Sequence, residues 1–97
     1  MATYISLLKW TEQGIKNVKE TVNRVRQAQQ AVEKAGGRIV DVYYTQGEYD
    51  LVAVYEWKDD ETANAWFLSL ASTGNVRGRT MRAYSPEEME RIISKMP

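Results

Sequence analysis

The order of apolar and polar positions divides the chain into alternating extended and helical stretches. Residues 2–10, ATYISLLKW, carry apolar side chains on both parities of a β-rich run, which predicts a strand. Thr11 then offers a hydroxyl to cap a helix whose first turn carries Glu12. From Glu12 to about Ala35, the residues Ile15, Val18, Val22, Val25 and Val32 recur at helical spacing, so the pattern predicts one long helix with a single apolar stripe. Valine is a poor helix former, and such a helix has to be held by packing that stripe on a surface. Gly36-Gly37 ends it, because glycine takes a left-handed cap without cost.

Arg38 to Gln46, RIVDVYYTQ, predicts a second strand and Tyr49 to Lys58 a third. Between them Gly47-Glu48 has the glycine-first form of a two-residue hairpin loop. Asp59-Asp60 caps a second helix with Ala63, Trp66, Phe67, Leu70 and Ala71 on one side, broken by Thr73-Gly74-Asn75. Val76 to Tyr84 reads as a fourth strand. Ser85 and Pro86 open a short terminal helix with Met89, Ile92, Ile93 and Met96 on its apolar side. The order β-α-β-β-α-β plus a terminal helix is an α+β, ferredoxin-like plan: a four-stranded antiparallel sheet with two long helices on one face. Residues 1–97 are expected to form one such domain.

A two-residue loop sets the hairpin register, with Tyr44 opposite Leu51 and Tyr43 opposite Val52. Side chains then alternate between the two faces of the sheet. One face collects Val40, Val42, Tyr44, Leu51, Ala53, Tyr55 and Trp57, and belongs under the helices. The other collects Ile39, Asp41, Tyr43, Thr45, Asp50, Val52, Val54 and Glu56. A face left to water normally reads polar. This one is apolar in its middle with carboxylates around it, which predicts that a second copy covers it, sheet against sheet. A pocket lined by Tyr43, Asp50, Glu56, Arg82 and Thr80 would sit between the two sheets.

Composition removes several chemistries. The chain has no cysteine and no histidine, so thiolate chemistry, imidazole general bases and the commonest metal ligands are absent. A haem would have to find its axial ligand in tyrosine or methionine. Asp41, Asp50 and Glu56 are too spread along strands to suggest a metal site. Thirteen basic residues balance thirteen acidic ones, which gives no field toward nucleic acid or an anionic membrane. Aromatic residues on a sheet suggest an RNA platform, but the zero net charge argues against one. No apolar run approaches a membrane span and no leader pattern opens the chain, so a cytoplasmic location is expected.

GEYD at 47–50, an apolar strand with Glu56, and DDE at 59–61 together resemble the GYD domain family. WTEQG at 10–14, GNVR at 74–77 and RAY at 82–84 extend the resemblance over about residues 3–84, with Lys58 where relatives often carry proline. The resemblance implies a ferredoxin-like, dimeric α+β barrel of bacterial and archaeal distribution, with no established activity. Its wider structural neighbours include cofactor-free monooxygenases, small isomerases, haem enzymes and ligand-sensing domains.

The expectation that follows is a homodimer or higher homo-oligomer acting as a small-molecule binding or sensing module. Tyr43, Asp50, Glu56 and Arg82 are its candidate ligand residues, and no cofactor, metal, nucleic acid or membrane partner is expected. The alternatives are a cofactor-independent enzyme of monooxygenase or isomerase type with its site between sheet and helices or at the open sheet face where copies meet, and a protein whose function is assembly itself.

Overall fold

The computed structural model describes residues 1–97. Strand β1 (Ala2–Trp10) leads into a short helix α1 (Glu12–Lys16), a 3-10 turn over Val18–Glu20 and helix α2 (Thr21–Lys34). Strands β2 (Gly37–Tyr44) and β3 (Leu51–Trp57), helix α3 (Asp60–Ser72), strand β4 (Val76–Ala83) and helix α4 (Pro86–Ser94) follow. The sheet is antiparallel in the order β2-β3-β1-β4, which is the ferredoxin-like plan.

The predicted caps form. The Thr11 hydroxyl accepts from Gly14 N at 3.1 Å, and Asp59 Oδ1 accepts from Thr62 N at 2.7 Å. Ser85 and Glu88 exchange the two bonds of a capping box under Pro86. One expectation fails: the long first helix is divided at Asn17. Gly14 lies so close to the Asn75 carbonyl that a Cβ there would overlap it, which pins α1 to the start of β4. Thr11 N also donates to Asn75 O at 3.1 Å. The Asn17 side chain bonds back to Gln13 O and its carbonyl accepts from Arg24, so the chain turns before α2 begins.

The hairpin register is as counted, with Tyr44 opposite Leu51 and Tyr43 opposite Val52. Two details differ. The strands stop at Tyr44 and Leu51, so residues 45–50 form the loop, closed by Thr45 Oγ1 donating to Tyr49 O at 2.5 Å. A bulge between Ile39 and Asp41 puts both Ile39 and Asp41 in register while Val40 is the extra residue. Ile39 therefore packs on the core beneath the helices, the place expected for Val40. An alternation count cannot see a bulge, because one inserted residue reverses every face before it.

The inner face of the sheet carries two apolar clusters. Tyr4, Ala53, Tyr55 and Trp57 pack with Val32 of α2 and Ala63 of α3, and Leu8 packs with Leu51 and Val76. Along β3 the alternation is complete: Leu51, Ala53, Tyr55 and Trp57 are buried, and Val52, Val54 and Glu56 only half so. Helix α2 covers this face poorly. Of the stripe expected along one long helix only Val32 is fully buried; Val18 and Val25 are half-buried, and Ile15 of α1 and Val22 of α2 stay about half exposed at 51% and 47%.

Candidate functional site

Register places the four predicted site residues on different parts of the sheet. Arg38, Glu56, Thr3 and Ala83 form one row of the outer face. Asp41, Val54, Ile5 and Met81 form the next, and Tyr43, Val52, Leu7 and Arg79 the third. Lys9 and Arg77 pair beyond them. Tyr43 and Glu56 thus share the outer face two rows apart, and Glu56 is already engaged by Arg38 at 2.8 Å.

Arg82 lies on the other side of the sheet. It pairs with Tyr4, whose ring is in the inner core. Thr80 likewise pairs with buried Ser6, and their hydroxyls are 2.8 Å apart. The Arg82 guanidinium lies over the Tyr84 ring at 4.6 Å and the Tyr4 ring at 5.6 Å, donates to Ala83 O at 2.5 Å, and reaches Glu88 of α4 at 3.9 Å. It works as the joint between the sheet and α4. The Tyr4 hydroxyl donates to Asp60 at the start of α3, and that bond, with burial, raises the phenol above its ordinary value.

Asp50 has its carboxylate engaged by backbone. Its Oδ2 accepts from Trp10 N at 3.0 Å and its own N donates to Leu8 O at 2.8 Å. The GEYD stretch therefore bends across to the end of β1 and supplies that strand end with the hydrogen bonds β3 no longer reaches. Gly47 takes φ +112 in this loop, a conformation open to glycine. The four predicted residues do not line one pocket within a single copy.

The structure opens a site on the inner face instead. A cavity of about 320 Å³ lies between the sheet and the two helices α2 and α3. Leu8, Leu51, Ala53 and Tyr55 form its floor, and Trp66 and Leu70 of α3 and Ala28 and Ala31 of α2 its sides. Burial raises the Tyr55 phenol above its ordinary value. Arg24 is the one charged residue of the lining. Sequence reasoning allowed a site between sheet and helices but named none of its lining residues, because it read the α2 stripe as closed on the sheet. The signal was present in residue size: Val25, Ala28 and Ala31 are too small to fill the gap over Leu51 and Ala53.

No three carboxylates stand close enough to hold a metal ion. No helix is long and apolar enough to cross a membrane.

The GYD domain model matches residues 4–93. The chain is 34% identical over 84 residues to a Thermus thermophilus protein named glutamine synthetase and cystathionine beta-lyase binding protein, covering 86% of this chain and 88% of that one. The crystal structure of TTHA0845, also from Thermus thermophilus, superposes with a TM-score of 0.56 at 26% identity, covering 88% and 95% of the two chains. Ribosomal protein S6 of Thermotoga maritima gives 0.52 at 16% identity over 97% and 98%. MtbAldR gives 0.68 at 13% identity over 87% of this chain, which spans about half, 53%, of that one. The last two show likeness of fold alone.

Proposed function

The chain belongs to the GYD domain family, and from that premise we propose that it is a homodimeric binding module that attaches to other proteins. The observation that carries this reading is the outer sheet face. Ile5, Leu7, Val52 and Val54 lie half-buried in its middle, and Tyr43 and Met81 are 60% and 46% exposed. The accessible surface supports it. The chain exposes 6834 Å², against about 5,700 Å² for a folded monomer of its mass. The excess of about 1,100 Å² is shared among this face, the poorly covered inner face and the exposed helix α4.

Charge supports a second copy as the cover. With Glu56 neutralised by Arg38, Asp41 is the free carboxylate on the β2–β3 side of the face, and Arg79 and Arg77 mark the β4 side. A two-fold axis lying between the faces and along the strands carries the β2 edge of one copy over the β4 edge of the other. It sets the Asp41 end of one row over the Met81 end of the same row in the other copy, with Arg79 in the adjacent row, and does so twice, as an isologous interface requires. The expected cytoplasmic setting and the single-domain arrangement go with this reading.

Helix α4 then projects from each copy beyond β4, with Met89, Ile92, Ile93 and Met96 between 39% and 69% exposed. Such an amphipathic face suits a groove on a partner protein. The relative's name supports enzymes as those partners. The test mixes the purified protein with glutamine synthetase and with cystathionine beta-lyase from the same source in sedimentation velocity. The proposal predicts co-sedimentation that Ile92→Asp abolishes while the dimer survives. Independent sedimentation of the proteins in both mixtures would overturn it.

A second reading, a small-molecule sensor, has the inner cavity in its favour.

A further inference from the structure

We infer that the cavity between α2, α3 and the sheet binds an amphipathic carboxylic acid, its apolar body on the Leu8–Leu51–Ala53 floor and its carboxylate at Arg24. The inference rests on the small-molecule reading and names the ligand class.

The first support is volume and lining. About 320 Å³ is at the small end of ordinary ligand pockets and holds on the order of ten groups of water or methylene size. The lining is mostly apolar side chains: Leu8, Trp10, Val42, Leu51, Trp66 and Leu70 carry it. Walls this apolar, with Tyr55 the one hydroxyl of the floor, favour a hydrocarbon or aromatic body over a sugar or nucleotide.

The second support is the state of Arg24. It is part-buried at the rim, and the chain's two ion pairs, Arg38–Glu56 and Arg82–Glu88, leave it without a carboxylate. Its Nη1 donates to Asn17 O at 3.0 Å, which fixes the side chain and leaves the rest of the guanidinium fork unbonded. A guanidinium presents paired donors that match a carboxylate. The remaining polar residues of the lining, Thr21, Gln27, Ser69, Thr73 and Asn75, are neutral. A cationic head would therefore meet only like charge, while an anionic one completes the site.

The test is isothermal titration of the purified protein with decanoate, 1-decanol and decyltrimethylammonium, each below its micelle concentration. Trp10 and Trp66 fluorescence reports occupancy of the cavity. The inference predicts one decanoate per chain and at least tenfold weaker binding of the cationic probe. Arg24→Gln should lose that preference, and Arg24→Lys should keep most of it. Ala28→Phe, which fills the cavity from a partly exposed helix position, should abolish binding of all three probes with the fold intact by circular dichroism. Ala31→Leu serves if that variant does not fold.

Equal binding of anionic and cationic probes, blocked by Ala28→Phe, would overturn the carboxylate assignment and leave a cavity that takes small molecules. Absence of binding by all three probes would overturn the sensor reading as well.

Discussion

Replacing Asp50 by alanine removes one acceptor from the corner where the β2–β3 loop meets the end of β1. Trp10 N loses its 3.0 Å partner, while the neighbouring bond from Asp50 N to Leu8 O survives because it is backbone. A hydrogen bond to an ionised group contributes about 1.5–3 kcal/mol, and part-burial places this one near the lower end, at about 2 kcal/mol. For a domain of this size 1 kcal/mol moves Tm by roughly 4–8 °C, so Asp50→Ala should melt about 8–16 °C lower. Asp50→Asn keeps a neutral acceptor in the same place and should lose about half as much. The assay is thermal denaturation followed by circular dichroism at one protein concentration, since an associating protein has a concentration-dependent Tm. If Asp50→Ala melts within about 2 °C of the parent, the carboxylate does not hold the corner, and a ligand role for Asp50 regains weight.

Val54→Lys, on the half-buried outer face, should give a folded monomer, read as unchanged circular dichroism with halved mass in light scattering. Gly14→Ala forces a Cβ against the Asn75 carbonyl and should cost about 1–3 kcal/mol, read as a lower urea midpoint. Glu56→Gln breaks a largely exposed ion pair with Arg38 and should change stability by less than about 1 kcal/mol, with the difference vanishing in high salt. Asp59 is held below the usual carboxylate range, first by the Thr62 backbone N–H and then by its hydroxyl. A lowered folded value means its contribution is full above about pH 4 and is lost as pH falls through the folded value. Asp59→Asn should therefore flatten the acid side of the stability–pH curve, and an unchanged slope would refute the cap's role.

Much of this architecture can be read from residue spacing, because strand alternation and helix caps are local. Thr11, Asp59 and Ser85 each cap the helix that their position implies, and the β3 alternation predicts burial residue by residue. Two features are not local. The Val40 bulge depends on how β2 meets β3, and it exchanges Ile39 for Val40 in the core. The division at Asn17 depends on Asn75, a residue far along the chain that closes on Gly14. The candidate site was the least legible. Arg82 and Glu56 belong to opposite faces, and the cavity arises from helix placement, which a stripe of valines leaves undetermined.

The central claim is that a second copy covers Ile5, Leu7, Val52 and Val54. Sedimentation equilibrium of the unmodified protein across low micromolar concentrations tests it most directly. The account predicts a mass of twice 11.2 kDa or a multiple of it. A single species of one chain's mass throughout that range would contradict it.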